Sequence, residues 1–153
     1  DYDIINQPRT YRYFNKPVLY PFGYGLTYGT FAYNTIEAAV NEKKEIEVTL
    51  SISRIDEVCE NKSIPEGIDE VVQVYIKRIS ESQTIHPIRR LVGFERIHNV
   101  KPGETRKEKK KINSSDISIY MENEGVKKVE PGEYLIYAGK NALDEAVSVK
   151  VDI

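Results

Sequence analysis

The stretch Ile46-Glu47-Val48-Thr49-Leu50-Ser51-Ile52 places an aliphatic side chain at every second position and a polar one between. Side chains of extended backbone point alternately to opposite faces, so this is a strand with one face in a core. The same period recurs along the chain. Val72, Val74 and Ile76 alternate with Gln73, Tyr75 and Lys77. Val147, Val149, Val151 and Ile153 alternate with Ser148, Lys150 and Asp152. Tyr134, Ile136 and Ala138 make a shorter strand, and Phe31 and Tyr33 begin one that reaches about Val40. Residues 91–100 read as another, with Gly93 as a bulge. Pro102-Gly103 and Pro131-Gly132 are turn signals, each just ahead of a strand. Ser114-Ser115-Asp116 is able to cap one helical turn, but Ile117, Ile119 and Met121 alternate better as strand. Residues 56–67 are polar, contain Pro65 and read as a long loop.

Seven or so short strands with turn signals between them, and no convincing amphipathic helix, predict an all-β antiparallel sandwich or barrel. The region from residue 31 to residue 153 suits a sandwich of the immunoglobulin or fibronectin type. The whole chain has 153 residues, enough for one domain with a real core. It carries 22 basic and 24 acidic residues, a balance that excludes wholesale electrostatic capture of nucleic acid. No apolar run approaches the ~20 residues that span a bilayer, and no membrane partner is expected. A single cysteine, Cys59, excludes an internal disulfide framework. The chain opens at Asp1 with no methionine and no leader pattern, and so reads as a piece of something larger. The lone cysteine and the missing leader favour a bacterial cytoplasmic setting over a secreted one.

Residues 1–30 differ in kind. Tyr2, Tyr11, Tyr13, Tyr20, Tyr24 and Tyr28 fall here, with Phe14 and Phe22. Pro8, Pro17, Pro21, Gly23, Gly25 and Gly29 break the backbone repeatedly and oppose both helix and central strand. A solvated linker is poor in aromatics, so this strap has large side chains to bury against another body. Two readings compete. One is docking between domains, with Tyr11, Tyr13, Phe14, Tyr20, Phe22, Tyr24 and Tyr28 as the interface residues. The other is stacking on sugar rings, which the absence of tryptophan weakens. Beyond residue 34 the sandwich offers only Tyr75, Phe94, Tyr120, Tyr134 and Tyr137 to a sugar, and at least three of these sit where a core is expected.

No other cluster points to chemistry. Asp56, Glu57 and Glu60 lie in the polar loop and Glu122 and Glu124 near a turn; nothing places them as an acid/base pair in a cleft. His86 and His98 lack the clustering of a metal site, and no cofactor is expected. Cys59 reads as an inert loop thiol. Arg106-Lys107-Glu108-Lys109-Lys110-Lys111 reads as an edge strand blunted by lysines, some of whose stems cover apolar surface. Asn61-Lys62-Ser63 and Asn113-Ser114-Ser115 match the glycosylation pattern, which arises often by chance.

Arg9-Thr10-Tyr11-Arg12-Tyr13-Phe14, followed by Leu19-Tyr20-Pro21-Phe22-Gly23-Tyr24-Gly25-Leu26-Thr27-Tyr28, resembles the junction that leads into the C-terminal fibronectin type III-like domain of glycoside hydrolase family 3 enzymes. The likeness continues in order through Asp69-Glu70-Val71-Val72-Gln73-Val74-Tyr75 and Arg90-Leu91-Val92-Gly93-Phe94-Glu95-Arg96-Ile97 to the two Pro-Gly turns. The chain departs from the pattern in its longer polar loop before residue 68 and in its more basic strand around residues 107–111. The resemblance implies a fibronectin type III-like sandwich, residues 31–153, behind a strap, residues 1–30. It implies a parent that is a retaining exo-glycosidase, nearer the β-xylosidase branch than the β-glucosidase branch, with its nucleophile and acid/base on other domains. No catalytic residue is carried over to this chain. The implied partner is the catalytic part of the same polypeptide, with an oligosaccharide or polysaccharide as the alternative ligand.

Overall fold

The computed structural model describes residues 7–56 and 66–153. Two antiparallel sheets face each other. The three-stranded sheet runs β1 (Phe31–Val40), β2 (Ile46–Arg54), β5 (Thr105–Ile112), in that spatial order. The four-stranded sheet runs β4 (Arg90–Val100), β3 (Ile68–Arg78), β8 (Glu133–Gly139), β9 (Val147–Asp152). A small hairpin, β6 (Ile119–Met121) with β7 (Val126–Lys128), stands apart from both. The expected all-β sandwich is what forms, with this hairpin added.

The core lies between the sheets. Ile46, Val48, Leu50 and Ile52 of β2 bury their even-numbered face against Val72, Val74 and Ile76 of β3 and Ile136 and Ala138 of β8. Bulges keep the inward pattern in phase. In β1 the pairing with β2 slips between Tyr33 and Thr35, so odd-numbered Phe31 and Tyr33 and even-numbered Ile36, Ala38 and Val40 all pack on one core. In β4 the slip falls between Gly93 and Leu91, so the extra residue is Val92, one position before the glycine. A second slip lies near Asn99, whose φ of 55° lets both Ile97 and Val100 turn inward.

β5 is an edge strand, and its charges are largely paired. Lys109 and Lys111 reach Glu47 and Glu45 of β2 at 3.0 and 2.9 Å. Lys110 crosses instead to the other sheet: its stem passes beneath Gly93 and its amine meets Glu95 at 3.3 Å, closing the open side of the sandwich. The segment after β5 is not all strand. Ser114–Ile117 form one helical turn, α1, because Asp116 accepts the Asn113 N–H at 3.1 Å in a capping box; the alternation is strand only from Ile119. Residues 57–65, with Glu57, Cys59, Glu60 and the first sequon, lie outside the described residues.

Arg54 ends β2 with only 2% of its surface exposed. Its guanidinium donates to both oxygens of Asp56, to the Val100 carbonyl at 3.0 Å and to the Glu66 carbonyl at 2.8 Å. Asp56 also accepts the Thr30 N–H at 2.9 Å, so this ion pair roots the strap on the sandwich. The Arg54 hydrogen bonds, helped by Thr30 against the opposing effect of burial, hold the Asp56 carboxyl down at about 2. A carboxyl depressed in the fold stabilises it fully above its unfolded value of about 4, and that contribution is lost as pH falls toward 2. Acid unfolding of the chain is therefore expected to steepen between about pH 4 and pH 2. Asp56→Asn should flatten that part of the curve; an unchanged slope refutes the assignment.

Candidate docking site

Proline and glycine leave residues 7–30 without helix or strand, yet local turns and hydrogen bonds to the sandwich fix their course. Tyr13 and Phe14 both donate their N–H to the Thr10 carbonyl, at 3.0 and 2.9 Å. Tyr24 donates to the Pro21 carbonyl at 3.0 Å, with Gly23 at φ +80° in the third position of the turn. A Cβ on Gly23 would stand 1.9 Å from Gln73 Oε1, so glycine is required there for space as well as for φ.

At these turns the strap is bonded to the outer side of the four-stranded sheet and its adjoining loops. Arg12 O accepts from Ile88 N at 2.7 Å, Tyr11 Oη from Leu91 N at 3.0 Å and Phe22 O from Ala142 N at 2.9 Å. Gln73 Nε2 donates to Gly23 O at 2.8 Å and to Lys140 O at 2.9 Å. Tyr75 in turn donates its hydroxyl to Gln73 Oε1 at 2.6 Å. The Tyr11 and Phe22 rings stack with centroids 3.9 Å apart. Beneath lies a second small core of Tyr75, Tyr137 and Ala142, against which Tyr11 and Leu91 pack. Tyr75 and Tyr137, opposite each other on β3 and β8, stack at 5.2 Å and are fully buried. Burial drives both phenol pKa values up, Tyr75 further by repulsion from Tyr137. Both faces of β3 are thus covered, although its alternation reads as half-buried.

The strap's other side faces outward. Leu19 is 87%, Leu26 90% and Tyr28 85% exposed, with Tyr20, Tyr24 and Phe22 exposed less fully. A groove of about 880 Å³ opens here, walled by Tyr11, Phe14, Val18, Tyr20, Phe22 and Leu143. An exposed groove with apolar walls is the kind of surface that marks an interaction site. Of the seven interface residues expected, Tyr11 is spent on the sandwich itself and Phe22 is shared between its stack and the groove. Tyr13 and Phe14 are half-buried, and Tyr20, Tyr24 and Tyr28 point out. Leu19 and Leu26, which sequence reasoning passed over for the aromatics, are among the most exposed apolar side chains of the face.

The remaining candidates are dispersed. His86 and Arg78 both engage Glu130, and His98 bonds Asp69 at 2.9 Å. Glu124 pairs with Lys128, and Glu122 is exposed. Among the described residues no three His, Cys, Asp or Glu side chains gather as a metal site. Of the sandwich's aromatics, Tyr75, Tyr134 and Tyr137 are buried, which leaves Phe94 and Tyr120 to solvent.

Residues 70–142 match the profile of the fibronectin type III-like domain. Over 146 residues the chain is 36% identical to a putative β-xylosidase of Formosa agariphila, the match taking in 92% of this chain and 18% of that protein. It is 35% identical over 144 residues to a β-glucosidase of Kluyveromyces marxianus, covering 92% of this chain and 16% of that one. A crystal structure of the Kluyveromyces marxianus β-glucosidase superimposes with a TM-score of 0.80 at 30% identity, over 94% of this chain and 17% of the other. The GH3 β-glucosidase of Bifidobacterium adolescentis does so at 0.77 and 28% identity, over 90% of this chain and 19% of the other. The chain spans less than a fifth of the length of each of these relatives.

Proposed function

The chain is a fibronectin type III-like domain related to a short part of glycoside hydrolase family 3 glycosidases, and from that kinship we propose that it is a non-catalytic C-terminal domain that packs against and stabilises the catalytic domains of its own polypeptide. The observation that carries this is the two-sided strap. One side is bonded to the sandwich through Tyr11, Phe22 and Gly23, while Leu19, Leu26 and Tyr28 of the same strap stand largely exposed. Covering these apolar side chains removes them from water, which is the dominant favourable contribution to domain association. Catalysis belongs to the rest of the parent, proposed as a β-glycosidase with a xyloside as its favoured substrate.

The leucines make the cleaner test, because Phe22→Ala would also unstack Tyr11 within the sandwich. Leu19→Ser and Leu26→Ser in the full-length polypeptide are each expected to cost about 1–2 kcal/mol of its stability. Differential scanning calorimetry reads this as a fall in the transition of the joined domains. An unchanged thermogram for both variants sinks the docking role. Initial rates of the full-length polypeptide on aryl xyloside and aryl glucoside test the substrate.

A further inference from the structure

The outward face of the strap is basic as well as apolar. Residues 7–30 include Arg9, Arg12 and Lys16 and not one aspartate or glutamate. Arg89 joins Lys16 on the wall of the groove, in a chain whose net charge is −2. Elsewhere the cations mostly find acids: Arg54, Lys77, Arg78, Lys109, Lys110 and Lys111 each meet a carboxylate. Among the described residues none is within ion-pair distance of Arg12, Lys16 or Arg89. Arg12 stands close enough to Arg90 to add to the effect of burial in lowering the Arg90 pKa.

Covering the leucines and tyrosines removes water from the rim as well. A cation that loses its water without gaining a carboxylate is costly, and the cost falls on the docked state. Like-signed or merely apolar surfaces would be rejected there, and an acidic one oriented. We infer that the surface this face receives is acidic: carboxylates of the catalytic part of the same polypeptide pair with Lys16 and Arg89 on the wall of the groove, while apolar side chains fill the groove itself. This rests on the docking role proposed above and adds the chemistry of the partner. It also gives the strap a means of setting orientation, since two fixed charges on the wall of a groove favour one orientation of the partner.

The test uses the full-length polypeptide. Carbodiimide joins an amine to a carboxylate only where the two are in contact, and peptide mapping then identifies the pair. Lys16 is expected in an amide link to an aspartate or glutamate outside these 153 residues. The double reversal Lys16→Glu with Arg89→Glu should lower the melting transition, and the neutral Lys16→Gln should abolish the link with a smaller fall. If Lys16 stays free and open to acetylation while Leu19→Ser and Leu26→Ser still destabilise, the acidic partner is wrong and the docking role stands. If neither the leucine nor the charge variants change the transition, both are wrong. If Lys16 becomes protected only when an acidic xylan is added, the face binds polysaccharide, which also overturns the inference.

Discussion

Arg54→Ala is expected to remove about 3–5 kcal/mol from the stability of the chain, a large part of the ~5–15 kcal/mol that a domain possesses. Most exposed arginines are worth a few tenths of that. Arg54 differs because its guanidinium is fully buried and bonded to a carboxylate and two backbone carbonyls at once. Without it the Val100 and Glu66 carbonyls lose their donor, and the Asp56 carboxylate is left without a counter-charge. Urea unfolding gives the number directly. Removing both charges, Arg54→Ala with Asp56→Ala, should cost no more than Arg54→Ala alone, since no unpaired carboxylate remains. A loss below about 1 kcal/mol for Arg54→Ala would show the cluster to be a surface ornament.

Tyr75→Ala carries the second large effect. The ring is fully buried, stacked on Tyr137 and roofed by the strap, so its removal opens a cavity worth about 3–5 kcal/mol. The strap loses its seat as well, because the Tyr75 hydroxyl orients Gln73, and Gln73 holds the Gly23 carbonyl. Tryptic cleavage after Arg9 and Arg12 should accelerate together with the loss of stability. Tyr75→Phe keeps the ring and drops one hydrogen bond, at about 1 kcal/mol, with the strap still seated. Equal proteolysis of Tyr75→Ala and the parent chain would mean that the strap is held by something other than this floor.

How far the sequence spoke depended on which forces are local. The alternation of β2 and β9 was legible because one face of each meets the core and the other meets water, and period two records that directly. β3 was only half legible: Gln73 and Tyr75 read as its wet face, but they are roofed by residues some fifty positions earlier, and no local period reports a distant cover. The phase change in β1 was hidden because Tyr33 and Ile36 agree only through a bulge that the residue pattern does not announce. The turn of α1 was misread as strand because its isoleucines are spaced for either, and the Asn113–Asp116 cap settled the matter. In the strap, abundance pointed to the tyrosines. Some of these are consumed internally, whereas Leu19 and Leu26, two ordinary residues, are the most exposed large apolar side chains among the described residues.

The two-storey arrangement of β3 also fixes an order of events in the cell. The floor on which the strap sits needs β3 and β8 side by side, and its last anchor, the Ala142 N–H, comes near the end of this sequence. Within these 153 residues the strap is made before the sheet it sits on and can be seated only last. At roughly 5–20 residues per second its tyrosines and leucines wait on the order of ten seconds with nothing of this chain to cover them. Residues 7–30 carry three positive charges and no acid, which opposes association of waiting copies, so the same residues serve solubility during synthesis and contact afterwards.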